Sequence, residues 1–444
     1  MKIIEETLQV WRKDRLLQRV VKNSSYLFSS NTISMALSVV QSIFAARLLG
    51  VSDFGLLGTI TVFASTIRRL FSFRMGELIV KFMGGYLAKD QKEQAGAVVK
   101  AAFMIESVSS LIAFAILILL SPFAAVRLAD DPSSANLFTI YGLMVLGNLF
   151  SETSIGILQV NDRFRGQAII NLTQSIITAS IITIAYFTNG SLMMVLFAYL
   201  IGKLILGIGP TILALSSLKS LLGKQWWKAS LKLLPPWREL ARFGVTSNLS
   251  ATINLVVRDS EALWLAFFLS TTEVGYYKVA LAIINLVLMP ITPFISTTYP
   301  EMAKSVSEEN WGQLKNLIRR VTKLSGVWTA GVSLILLIFG PLLILLYGVE
   351  YLPAYPAMIV LLVGFAIANI FFWNRPLLLS FGLPAYPFKV MFICGILKVA
   401  LAFFLVPKFG YVAEAVLLSA YFTVSVGLIL RKGLKTLYQR ETGN

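Results

Sequence analysis

The chain has 444 residues, of which 57% are hydrophobic and only 14% charged, and it carries a formal net charge of +17. Its mean hydropathy of +0.76 belongs to a bilayer rather than to water, which excludes the run of soluble domains that this length would otherwise suggest. The Lys and Arg residues lie in short segments between apolar runs, a pattern of membrane topology that excludes nucleic acid as a partner.

Residues 1–23 hold six basic and three acidic residues, with Ile4, Leu8 and Trp11 at helical spacing. They lack the continuous apolar core and the small-residue cleavage site of a signal peptide, and are expected to form a cytoplasmic interfacial amphipathic segment. Crossing a hydrocarbon core of roughly 30 Å takes about 20 apolar residues. Twelve runs qualify. In the first half they lie near 24–49, 54–81, 101–122, 136–160, 166–187 and 192–215, and in the second near 243–269, 274–299, 324–347, 357–381, 388–406 and 411–430. The expected organisation is therefore an all-α membrane protein with an N-terminal six-helix lobe (24–215), a basic cytoplasmic linker (216–242), a C-terminal six-helix lobe (243–432) and a cytoplasmic tail (433–444).

Placing the N-terminus in the cytoplasm puts 28 of the 39 Lys and Arg residues in cytoplasmic segments, while the opposite side receives only Arg127 and Lys408. That asymmetry predicts both termini inside. The exoplasmic connections, such as TNGS around Gly190, leave no room for a folded domain, and membrane enzymes of glycan assembly would need one to hold their carboxylates. There is no Walker A sequence and no metal or nucleophile constellation, so neither an enzyme nor a cofactor is expected. The single Cys394 lies in an apolar run, and the chain has no His, the usual proton carrier near neutral pH.

The two halves repeat one another. SSNTISMA from Ser29 sets against TSNLSATI from Thr246, and each is followed by an apolar run and a short turn, SDFGLLGTI from Ser52 and TEVGYYKVA from Thr272. Duplicated six-helix halves are a common transporter layout. The runs RLLGVSDFGLLGTI and EVGYYKVALAI, with LQVNDRFRGQAIIN after the fourth span, resemble the polysaccharide and O-antigen flippases of the Wzx type. Those belong to the multidrug/oligosaccharidyl-lipid/polysaccharide exporter superfamily. The resemblance covers nearly the whole chain. It implies twelve transmembrane helices in two six-helix lobes around a central cavity, and movement of an undecaprenyl-pyrophosphate-linked oligosaccharide to the outer leaflet of the cell membrane. It also implies membrane lipid and the polysaccharide polymerase machinery as partners. A cation-coupled multidrug antiporter of the same fold is the alternative.

Nine basic residues lie within spans: Arg47, Arg68, Arg69, Arg74, Lys203, Arg258, Lys278, Arg375 and Lys398. Arg suits phosphate oxygens because its planar fork donates bidentate, charge-assisted hydrogen bonds and does not deprotonate. Arg47 and Lys278 sit near span ends and can snorkel, and Arg74 has Glu77 one turn away, so these three read as structural. Arg68 and Arg69 stand near the centre of span two, where each charge costs about 2.5 to 3.5 kcal/mol against lipid. In span seven Asn254, Arg258 and Glu261 share a helical face, with Asp259 beside them, and span one carries a matching polar stripe of Asn31, Ser34, Ser38 and Gln41. Helix packing accounts for such stripes as well as substrate binding does. The candidate substrate-binding residues are thus Arg68, Arg69, Arg258, Arg375, Lys203, Asn31, Gln41 and Asn254, and the candidate ion-coupling residues are Asp259 and Glu261. With no nucleotide site, the driving force falls to an ion gradient, the membrane potential or consumption of the product outside.

Overall fold

A computed structural model describes residues 15–236, 238, 240, 255, 259–288 and 292–442. Among the described residues fifteen α-helices follow one another, and no strand occurs. They are α1 (Arg15–Leu70), α2 (Met75–Leu78), α3 (Gly84–Leu87), α4 (Lys92–Leu128), α5 (Ala135–Gly147), α6 (Ser151–Val160), α7 (Phe164–Phe187) and α8 (Leu192–Leu221) in the first half. The second half supplies α9 (Glu261–Phe268), α10 (Thr271–Leu288), α11 (Thr292–Ser307), α12 (Trp311–Leu345), α13 (Ala354–Ile370), α14 (Asn374–Ser380) and α15 (Ala385–Thr442).

Hydropathy alone accounts for this layout. Eight described stretches are long and apolar enough to cross a bilayer, where a helix satisfies every backbone polar group internally. Two of them, Phe28–Leu87 and Ala385–Thr442, are 60 and 58 residues long, enough for two crossings each. Each folds at one glycine: Gly50 has φ 71° and Gly410 has φ 69°, a backbone region where a Cβ is disfavoured. The stretch α9 to α11 accounts for the remaining two of the twelve expected spans, and the start of the seventh lies outside the described residues.

The described residues divide into two compact units that do not follow the halves of the chain. The first is drawn from Met1–Gln41, Ile67–Ser121 and Leu137–Leu249, and the second from Ser42–Thr66, Pro122–Asn136 and Ser250–Asn444. In the first unit α7 packs on α8 and α6 on both α2 and α8. A buried apolar cluster there joins Ile79, Met83, Val99, Ile157 and Leu218. Trp226, in a short 3-10 turn of the basic linker, packs on the same cluster with its ring 5.9 Å from that of Phe103. Lys100 adds a hydrogen bond to the Ala229 carbonyl at 3.3 Å, so this part of the linker is docked on α4.

In the second unit α13 packs on α10, α12 and α15. The repeat is visible here as contact. A Cβ on Gly55 would lie 1.8 Å from the Thr271 carbonyl oxygen, and one on Gly275 would lie 2.4 Å from that of Val51. Gly55 and Gly275 hold equivalent places in the two copies of the turn motif, so each copy receives the other's glycine against its backbone. The Ser52 and Thr271 hydroxyls share a hydrogen bond at 2.9 Å beside them.

Candidate functional site

Two spans of the first unit break side by side. Helix α1 ends at Leu70, the backbone is non-helical until α2 begins, and Arg74 takes a left-handed conformation with φ 51°. In the neighbouring span α5 ends at Gly147 and α6 starts at Ser151. Gly76 and Gly156 let these broken segments meet backbone to backbone, since a Cβ on either would lie 2.9 Å or less from the other segment's carbonyl oxygen. The opening of α6 exposes N–H groups that its own N-cap residue, Phe150, does not satisfy. Glu106 does so from α4, its carboxylate accepting the N–H of Glu152 at 2.9 Å and of Thr153 at 3.0 Å. Ser72, in the first break, donates to the Glu152 carboxylate.

Broken helices at membrane depth persist where protein or a polar cavity receives the freed groups. Such a cavity, of about 340 Å³, lies here, lined by Asn31, Arg68, Asn148, Ser151, Gln167, Asn171 and Lys203 with Met144, Ile155, Ile170, Leu206 and Pro210. Arg68 donates to the Ser151 hydroxyl at 3.0 Å, and Asn171 donates to Asn31 at 2.8 Å. Asn148 is committed to the carbonyls of Met144 and Lys203 at 2.7 and 3.2 Å. Lys203 is half-buried, and no acceptor pairs with its ammonium among the described residues. The described lining thus holds two cations, several amides and no carboxylate. Glu106 and Glu152 lie behind Arg68 in a smaller adjoining pocket. Chemically, the cavity presents charge-assisted donors to an anion and amides to hydroxyl groups.

Three of the expected binding residues, Arg68, Lys203 and Asn31, are brought together in this cavity. Arg69 is exposed at the end of α1. Gln41 is buried and donates to the Ser175 carbonyl at 3.0 Å, which ties α1 to α7. Arg375 is exposed at the start of α14 in the second unit, while Asn254 and Arg258 lie outside the described residues. Arg47 and Lys278 do not simply snorkel. Arg47 donates to the carbonyls of Leu346 and Leu345 at 2.6 and 3.1 Å, and the Lys278 ammonium stands 4.2 Å over the Phe54 ring. Arg74 is paired with Glu77 as its spacing predicts.

The two ion-coupling candidates part company. Asp259 is exposed, whereas Glu261 is 2% exposed and accepts hydrogen bonds from Tyr277 at 2.8 Å and Lys398 at 3.1 Å. Lys398 also contacts Glu414. Among the described residues, the partners of Glu261 come from two other helices, α10 and α15.

A sequence model of polysaccharide biosynthesis proteins matches residues 20–306. The chain belongs to this family. Inner membrane protein YghQ of Escherichia coli (strain K12) is 23% identical over 354 residues, covering 78% of this chain and 97% of that protein. Among solved structures, an inward-facing multidrug resistance MATE family transporter of the MOP superfamily superposes with a TM-score of 0.72 at 14% identity, over 92% of this chain and 96% of that one. A MOP superfamily transporter from Pyrococcus furiosus, whose binding pocket is described as reversed in polarity, gives 0.65 at 13% identity, over 95% and 96% of the two chains. These likenesses establish the fold, an all-α membrane architecture of twelve spans in two six-helix lobes, as the resemblance implied.

Sequence reasoning missed the site role of Ser151, Glu106 and the two helix breaks. Glu106 and Glu152 were visible as acids within apolar runs, and an acid at that depth signals that a partner exists. Nothing in the local sequence says which partner.

Proposed function

We propose that the protein is a flippase that moves an undecaprenyl-pyrophosphate-linked oligosaccharide from the cytoplasmic to the outer leaflet by alternating access, for synthesis of a cell-surface polysaccharide. Family membership supports polysaccharide biosynthesis as the process. The observation that carries the substrate assignment is the cavity lining, in which Arg68 and the Lys203 ammonium, unpaired among the described residues, line the same space. A pyrophosphate enters such a lining as the missing counter-charge, and Asn31, Gln167 and Asn171 supply amides for sugar hydroxyls. The protein acts as a transporter rather than as an enzyme. The inner-membrane relative and the Lys and Arg distribution support a cytoplasmic-membrane location with both termini inside, and the flipped product passes to the polymerase machinery outside.

The alternative, a cation-coupled multidrug antiporter, draws on the shared fold alone. It calls for acidic groups facing the drug, and the described cavity lining has none. Reconstitution into vesicles with the lipid-linked glycan and a drug cation in parallel separates the two. Flipping of the glycan without cation movement is expected, and cation movement without flipping overturns the assignment.

A further inference from the structure

The basic linker is docked on one side and uncovered on the other. On the docked side Trp226 packs on the buried cluster around Val99 and Leu218, and Lys100 holds the Ala229 carbonyl at 3.3 Å. A Cβ on Gly96 would lie 3.2 Å from the Ala229 side chain and 3.3 Å from the Trp226 carbonyl oxygen. Hydropathy places this docking point at the edge of the hydrocarbon. Lys100 is the last basic residue before the apolar run at 101–122, and Phe103, just inside that run, meets the Trp226 ring. Helix α8 marks the same level. Its exposed Ile212 and Leu215 are followed on the same face by the exposed Lys219. An exposed apolar stripe on a spanning helix that ends in a lysine has reached the headgroups.

We propose that the uncovered side of this linker binds the headgroups of anionic phospholipids in the adjoining leaflet, with the Trp227 indole seated among them. Its charge is of one sign. Lys219, Lys224, Lys228 and Lys232 are all exposed, and none pairs with an acid among the described residues. Residues 216–236 contain no Asp or Glu. Water solvates a free ammonium well, so charge alone names no partner. The apolar groups beside the lysines do. Trp227 and Leu231 are 52% and 40% exposed, and the Trp227 ring stands edge-on to that of Trp226 at 6.5 Å. One indole of the pair is thus spent on the protein and the other is left uncovered at headgroup level, where its ring and its N–H both find partners. Anionic lipid adds phosphate acceptors for the ammoniums, worth about fivefold in affinity for each lysine held near such a surface. A zwitterionic lipid receives the ring but offers no net charge. An acidic protein matches the lysines, but Lys100 and Phe103 set this surface level with the bilayer, where lipid is already in place. Bound lipid would hold the linker, and through Trp226 and Ala229 the neighbouring ends of α4 and α8, against the membrane. That the leaflet is the cytoplasmic one rests on the topology proposed above; the binding face does not.

The full chain in phosphatidylcholine nanodiscs tests this without any glycan. Lipids brominated near the headgroup quench neighbouring indoles, and the difference between the wild type and Trp227→Phe isolates the signal of Trp227. Brominated phosphatidylglycerol is expected to half-quench Trp227 at a mole fraction at least about tenfold below that of brominated phosphatidylcholine. The triple variant Lys224→Gln, Lys228→Gln, Lys232→Gln changes only exposed side chains and is expected to bring the two lipids level. The triple variant Arg319→Gln, Arg320→Gln, Lys323→Gln removes three exposed charges from α12 in the second unit and is expected to keep the preference. Equal quenching by the two lipids in the wild type, or a preference unchanged in the linker variant, overturns the proposal. So does loss of the preference in the α12 variant, which would make it an effect of net charge alone. Displacement of brominated phosphatidylglycerol by undecaprenyl pyrophosphate, at a fraction where unbrominated phosphatidylglycerol fails, would assign the face to the transported lipid and also overturn it. None of these readings involves flipping, so they stand apart from success or failure of the flippase assignment.

Discussion

Arg68 donates to the Ser151 hydroxyl at 3.0 Å, so the last turn of one broken span is fastened to the first residue of the segment that resumes the other. The contact holds the guanidinium at the cavity rather than leaving it free to snorkel, and Lys203 lines the same cavity. A pair of cations kept at membrane depth without a matching carboxylate in the lining is expensive in an apolar solvent. An anionic substrate offsets that cost only while it is bound.

Arg68→Ala and Lys203→Ala are expected to impair glycan export while the protein still inserts in normal amount. Each removed charge-assisted hydrogen bond is worth about 1.5 to 3 kcal/mol, which corresponds to roughly 10- to 100-fold in affinity for the headgroup. Surface-glycan display in a strain that depends on this protein measures the effect. Arg68→Lys is expected to retain part of the function, because the charge persists and the planar fork is lost.

Removing the Glu106 carboxylate strips α6 of its cap. Glu106→Ala leaves the N–H groups of Glu152 and Thr153 without their acceptor, and the expected loss is about 1 to 3 kcal/mol of stability. Glu106→Gln, which keeps an amide oxygen, should lose less. Thermal unfolding of the two purified variants checks the order, and equal stability would mean that water or another group caps the helix.

The two reciprocal glycines of the turn motif give a steric test. Gly55→Ala places a methyl group 1.8 Å from the Thr271 carbonyl oxygen, and Gly275→Ala places one 2.4 Å from that of Val51. Both must push backbone away from backbone, at an expected cost of about 1 to 3 kcal/mol or more. Gly427→Ala, in α15 where nothing lies within 4 Å, is the control and should not lower thermal stability, since alanine favours a helix interior over glycine.

In the ionic cluster, Lys398→Ala removes the ammonium from between Glu261 and Glu414. Stranding buried charge in this way costs about 3 to 5 kcal/mol. Adding Glu414→Gln to Lys398→Ala removes one of the stranded charges and should recover part of that loss. A double-mutant cycle on thermal stability reads the coupling directly.

Much of the fold was legible because a bilayer imposes so few solutions. Apolar runs of about twenty residues marked the spans. Gly55 and Gly275 stood at matching places in the two turn motifs before any contact between them was known. The breaks at 71–74 and 148–150 were not legible. Neither contains a proline or a glycine, and the second is stabilised by Glu106, more than 40 residues away in sequence. An unbroken helix would set Ser72 and Gly76 on the face of Arg68, and the break at Leu70 removes that arrangement. The candidate site was legible in part. Depth singled out Arg68 and Arg69 and left Lys203 as one of several further candidates, and only the packing of α1, α7 and α8 shows that Arg68 and Lys203 share a cavity with Asn31. Glu261 was visible as an intramembrane acid, and its pairing with Lys398, separated by 137 residues, was not.

Equilibrium binding of undecaprenyl pyrophosphate and of uncharged undecaprenol to the protein in nanodiscs tests most directly whether the cavity of the first unit receives an anionic headgroup. The wild type is expected to prefer the charged lipid by at least about tenfold, equivalent to about 1.4 kcal/mol, and the Arg68→Ala, Lys203→Ala double variant to bind the two alike. Equal preference in the wild type and the double variant would contradict the account.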